Sequence, residues 1–208
     1  MCIGIERQAR RHRPRAEHGI SLIELIVFIV IVGIAVAGVV GALSMATRAS
    51  ADPMIQKQAL AIAEALLEEV QLQPFTYCDP DDPQAATAQS AAVGATGCTE
   101  AGSVENLMAA ETTPPYGPES RTSAANPYDN VNDYNSLPVM TGITDLTGAA
   151  IPGLGGYTAT VSVANQALAP VPASESLLIT VTVLGPTGTN TTVVLDGYRV
   201  RYAPNALP

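Results

Sequence analysis

The chain has 208 residues, enough for one modest domain and an anchor but not for two domains with large cores. Its 47% hydrophobic content is largely alanine and one apolar run, and aromatics are only 4%, with no Trp and two Phe, so the remainder reads as apolar-poor and loop-rich. The formal charge of −9 hides an asymmetry: Arg7, Arg10, Arg11, Arg13 and Arg15 face two acids in the first 19 residues, whereas residues 20–208 hold 5 basic and 17 acidic residues, a formal −12. That balance excludes nucleic acid as a partner, because binding a phosphate backbone rests on Lys and Arg displacing counterions.

Residues 1–19 form a short basic leader, and from Ile20 to Leu43 the only charged residue is Glu24. Twenty-four helical residues span roughly 36 Å, enough to cross a bilayer, and residues 20–46 are assigned to this membrane helix. Arginines ahead of an apolar run are retained on the cytoplasmic side, which places the N-terminus in the cytoplasm and the C-terminus outside the inner membrane. Gly33, Gly38 and Gly41 fit ordinary membrane composition as well as they fit close packing of neighbouring helices. Glu24 is the anomaly, since a carboxylate near the start of such a helix costs about 2 to 3 kcal/mol unless it snorkels, protonates or finds a partner.

The context of Glu24 is the string G-ISLIEL, with Gly19 preceding Ile20 and Glu24 fifth after the glycine. A basic leader, a glycine, four apolar or small residues, a glutamate and a long apolar span, in that order, resemble the class III signal of type IV prepilins. Ile20 stands where such prepilins usually carry Phe or Met. The resemblance implies that prepilin peptidase cuts the Gly19–Ile20 bond, that the new amine of Ile20 is N-methylated, and that Glu24 attracts that amine on a neighbouring subunit during filament assembly. Its implied fold is α+β and pilin-like: a long N-terminal helix, one half membrane-spanning and one half amphipathic, against a C-terminal antiparallel sheet of three to four strands.

Ala49-Ser50-Ala51 offers a rival, an A-x-A site at which leader peptidase would cut before Asp52 and release an ordinary secreted domain. The apolar run is longer than the h-region such a signal needs. Asp52-Pro53 reads either as the cap and first residue of a new helix or as a proline kink in one long helix. Within residues 47–73, Ile55, Ala59, Ile62, Ala63, Leu66, Leu67 and Val70 recur at helical spacing and make one apolar face, and Pro74 ends the element. Lys57, Glu64, Glu68 and Gln71 fall on the other side, and Glu68-Glu69 reads as a solvated rim.

Residues 74–156 are dominated by Pro, Gly, Ala, Asp, Asn and Ser, with short helical possibilities at 84–92 and 103–110. So long a connection is a decorated functional loop or partly mobile. With Cys2 in the leader, Cys78 and Cys98 remain as a pair in a compartment that permits disulfides, free thiols being the alternative. In YDNVNDYN, Asp129, Asn130, Asn132, Asp133 and Asn135 carry oxygen ligands of the kind calcium takes, but the spacing lacks the glycine and terminal glutamate of an EF-hand, so turn-forming Asx residues are the expectation and no metal site is assigned. GLGG at 153–156 leads into a strand and is a turn, not a phosphate cradle.

Residues 157–208 read as an antiparallel sheet, with strands at 157–163, 177–184 and 192–202 and a turn in GPTGTN. Alternation at the end of the last strand predicts Tyr198, Val200 and Tyr202 on one face and Arg199 and Arg201 on the other, meeting acidic loops. His12 and His18 both lie in the leader, so a processed chain has no histidine to serve as base or zinc ligand. With no P-loop, Rossmann or metalloprotease string, neither enzyme activity nor a cofactor is expected. The strings KQALAIAEALLEEVQLQPFTYCDPDD, YDNVNDYN and LDGYRVRYAPN further resemble the minor pilins of mannose-sensitive haemagglutinin (MSHA) type IV pili. That likeness implies as partners the major pilin, other minor pilins, prepilin peptidase and the inner-membrane assembly platform. A type II secretion pseudopilin and a Sec-exported binding module are the alternative readings.

Overall fold

The structure is a computed structural model that describes residues 21–105, 115–206 and 208. The whole leader, including Gly19, and Ile20 lie outside the described residues, as does part of the expected 103–110 helix. The chain divides between Arg48 and Ala49 into two units. The helix α1 runs over Leu22–Leu72 with Pro53 inside it, so no new helix is capped at Asp52.

In the first unit, Leu22–Met45 is one helix long and apolar enough to cross a membrane, and none of it is buried within the protein. Its apolar residues surround the helix on all sides, so no stripe exists to turn toward a core of its own.

The second unit is α+β. From Pro53 to Leu72 the helix is amphipathic, and Ala59, Ile62, Ala63, Leu66 and Val70 are all 6% exposed or less. Burying Ile62, Leu66 and Val70 contributes roughly 1.5 to 3 kcal/mol each relative to exposure, and the two alanines less. They meet the inner face of a four-stranded antiparallel sheet ordered β1-β2-β3-β4, with β1 Met140–Thr141, β2 Thr158–Asn165, β3 Ser176–Leu184 and β4 Thr192–Val200. Register puts Ala159, Val183 and Val193 in one row, Val161, Val181 and Leu195 in the next, and Val163, Ile179 and Gly197 in a third. These rows alternate with outward Thr and Ser, the period-2 pattern of a half-buried sheet. At Gly197 an added Cβ would meet the Gln71 amide and Leu67 Cδ1, so the missing side chain is what lets the helix lie close over β4.

The strands fall within two residues of their expected positions, and the short β1 is an addition that sequence pattern did not mark. The expected alternation holds for exposed Tyr198 and inward Arg199, but β4 ends at Val200 and Tyr202 lies against Arg199, its ring 4.9 Å from the guanidinium, not on the opposite face. Arg201 is buried over the rings of Phe75 (3.9 Å) and Tyr77 (5.0 Å) and pairs with Glu175 at 3.3 Å, and Arg199 donates to the Gln73 carbonyl at 2.9 Å. The arginines thus brace the inner side of the sheet's end.

Candidate functional site

Glu24 lies in the first turn of α1, where Glu24 N and Leu25 N both donate to the Ser21 carbonyl. An acid there complements the positive end of the helix dipole. The neighbouring residues through Met45 are exposed throughout, so the carboxylate stands on a helix whose whole surface is available to lipid or to other helices.

Among the described residues, the region between helix and sheet is tied together by a disulfide and a side-chain hydrogen-bond network. Cys78 and Cys98 are joined by a disulfide with a Cα–Cα distance of 5.4 Å. Both are fully buried in a small core with Ala85, Ala88 and Val104. Residues 84–92 form turns and bends rather than the expected helix: Gln89 N donates to the Thr96 carbonyl at 2.7 Å instead of continuing the helical ladder to Ala85. Asp82 gathers this loop: it accepts from Gln84 N (2.7 Å), Thr99 N (2.8 Å), the Thr99 hydroxyl (2.6 Å) and the Ser103 hydroxyl. Burial opposes ionisation of Asp82, but the Ser103 and Thr99 hydroxyls and the two amides outweigh it and hold the carboxyl below its ordinary range. The C-terminal tail closes over the loop, with Asn205 Nδ2 donating to the carbonyls of Ala85 (2.8 Å) and Ala88 (2.9 Å).

YDNVNDYN contributes to the core instead of forming an open ligand loop. Val131–Ser136 is a 3-10 helix capped by Asn130, with a capping box closed by Asp133. Three residues per turn put Val131 and Tyr134 on one buried face, and the buried Tyr128 ring packs edge-on to Tyr134 at 5.1 Å. Asn130 donates to the Thr76 hydroxyl (2.6 Å), Asn132 to Glu105, and Asn135 accepts from Val163 N (3.1 Å). The asparagines therefore serve as caps and braces. Carboxylates do converge at Asp129, within 4.8 Å of one another in the trio Asp79, Asp81 and Asp129 and in the trio Glu119, Asp129 and Asp133.

Glu69 is the residue that sequence reasoning misplaced. Instead of facing solvent beside Glu68, it binds Arg121 through both oxygens, Nε to Oε1 at 2.6 Å and Nη2 to Oε2 at 2.8 Å, and accepts from the Tyr134 hydroxyl at 2.9 Å. Arg121 Nη1 also donates to the carbonyls of Thr144 and Asp145, both at 3.2 Å. The hydrogen bonds that Arg121 donates to Glu69 raise its pKa, while burial first and the Glu69 carboxylate second push up the Tyr134 hydroxyl. The signal was available: Glu69 directly precedes Val70 and follows Leu66 by three, so it borders the apolar stripe.

Residues 14–40 match the family model described as the prokaryotic N-terminal methylation motif. No curated protein and no solved structure matches the chain. The matched segment contains Gly19, Ile20 and Glu24 and runs into the exposed apolar helix, so this chain carries the N-terminal motif of type IV pilin-like and pseudopilin precursors ahead of a helix fit to cross a membrane.

Proposed function

We propose that this chain is a minor pilin subunit of an MSHA-like type IV pilus, in which the strings quoted above resemble the minor pilin MshD. The observation that carries the reading is the match over residues 14–40 on a helix with no buried face of its own. Prepilin peptidase removes residues 1–19 at the cytoplasmic face, and Ile20 becomes the N-methylated first residue. Before assembly the subunit sits in the inner membrane with its C-terminal unit in the periplasm. It then joins the major pilin and other minor pilins through the assembly platform, building or priming a pilus that supports adhesion to surfaces. Glu24 would pair with the amine of a neighbouring Ile20. Such a pair contributes little net stability but sets register, because either charge left alone in a dry filament core is costly. The motif favours a structural subunit over an enzyme.

The test is the N-terminus and intact mass of the protein from membranes of its native host. A start at Ile20, with or without a methyl group, supports the reading. A start at Asp52 would show that leader peptidase removed the anchor, and would overturn it. Deleting the gene then separates pilus from secretion filament: loss of pili or adhesion supports the pilin reading, and loss of exoprotein secretion with pili intact means a pseudopilin.

A further inference from the structure

One face of the C-terminal unit carries an open groove of about 580 Å³ between the helix and the loop that precedes β2. Its walls are apolar: Ala61 and Ala65 from the helix, Ile143, Leu146 and Ile151 from the loop. Leu146 is 57% and Ile151 38% exposed, so large aliphatic surface is presented to water here. The size is that of a cleft able to take one or two bulky apolar groups.

Charge identifies the occupant. Arg121 lies at the groove, but its guanidinium is held by Glu69 and by the Thr144 and Asp145 carbonyls, so it offers no cation to a visitor. The exposed charge at the rim is Asp145. Hydrogen bonds from Thr147 and Ala149 keep its carboxyl below the ordinary range, so it remains an anion across the physiological range. The same sign prevails over the whole unit, where residues 49–208 hold 4 basic and 16 acidic residues. Arg121 and Arg201 are paired internally and Arg199 is half-buried on the Gln73 carbonyl, which leaves Lys57 as the exposed cation among the described residues. A second copy of this chain would bring acidic surface to an acidic rim.

We propose that the groove docks an apolar-tipped, Lys- or Arg-flanked segment of a different protein chain, and that it does not receive a second copy of this one. Apolar side chains fill the cleft and the flanking cations meet Asp145. The inference is independent of where the N-terminus is processed, so the mass measurement above neither supports nor sinks it.

The experiment uses the full chain in zwitterionic nanodiscs, with empty nanodiscs as the baseline. The probes are two short fluorescein-labelled helical peptides of equal length, one Leu/Lys and one Leu/Glu, followed by anisotropy at near-physiological salt. The Leu/Lys peptide should bind at least about tenfold more tightly than the Leu/Glu peptide. Ala65→Trp, which fills the groove, should weaken it about tenfold. Leu146→Lys, at an exposed loop position that the fold tolerates, should weaken it similarly by opposing the rim charge. Val194→Ser on the outer sheet face should leave binding unchanged. Equal binding of both peptides, binding no better than to empty nanodiscs, insensitivity to both groove variants, or self-association of the full chain in detergent that Ala65→Trp abolishes would each overturn the proposal.

Discussion

Two stretches of the same helix, Leu22–Met45 and Pro53–Leu72, share a backbone conformation and little else. In the first, large apolar residues from Val32 at 41% to Leu22 at 77% are all exposed. In the second, Ala59, Ala63 and Val70 are at 0%. The difference lies in arrangement: apolar residues all round the helix in one stretch, a single stripe with charged flanks in the other. A stripe can be covered by a sheet from the same chain. A uniformly apolar cylinder has to find its cover in lipid or in other helices, which makes the first stretch the part that depends on company.

The comparison would break if changes in the two stretches cost folding alike. Glu69→Ala is the largest expected loss: it strands Arg121, whose side chain is 7% exposed, without its carboxylate, at about 3 to 5 kcal/mol. Chemical unfolding followed through tyrosine near-UV signals should read this directly. Ile31→Ala in the same assay should change unfolding of the C-terminal unit by less than about 0.5 kcal/mol, since Ile31 is 61% exposed. An Ile31→Ala cost approaching that of Glu69→Ala would mean that the membrane stretch is part of the folded core.

Replacing both Cys78 and Cys98 by Ser comes next. The bridge closes a sequence separation of 20 residues, and its loss should lower stability by about 3 kcal/mol in the chain-entropy picture. Asp82 sharpens this further, because its hydrogen bonds tie the same loop without any covalent link. Its folded pKa is depressed, so its contribution is complete above the ordinary carboxylate value of about 3.9 and disappears as pH falls through the lower folded value. Asp82→Asn should therefore cost about 1 to 2 kcal/mol near neutrality and flatten the acid limb of the stability profile. An acid limb unchanged by the substitution would assign acid sensitivity to other carboxylates.

Much of this molecule can be read from residue spacing alone, and the failures have a common cause. The stripe from Ile55 to Val70 and the three long strands follow from periods of 3.6 and 2 sustained over several turns or pleats. Val131 and Tyr134 were read for their oxygen-rich neighbours because a 3-10 period of 3 over six residues is too short to stand out from loop composition. Glu69 looked solvated because its partner is 52 residues away, on a segment with no regular structure. Two-residue β1 is defined only by its pairing with β2. What the missed features share is the lack of a sustained local period: Glu69 and β1 rest on distant contacts, and the 3-10 turn is too short to show one. The Gly19–Ile20 junction is the opposite case: it is legible as a motif and lies outside the described residues, so sequence carries it alone.

The smallest expected effect on folding is the most informative about function. Glu24→Ala removes a carboxylate from an exposed first turn of the helix, far in sequence from the buried stripe, and should leave unfolding of the C-terminal unit unchanged within about 0.5 kcal/mol. Membrane insertion should also persist, because deleting a charge makes the apolar span easier to insert. Incorporation into filaments, measured as the ratio of variant to wild-type subunit in sheared pili against that in membranes, should nevertheless fall sharply. If the variant enters filaments as well as wild type, Glu24 merely snorkels to the interface and the docking role is lost. If it drops out of filaments while folding and inserting normally, the charge acts between subunits, as expected of the stretch that depends on company.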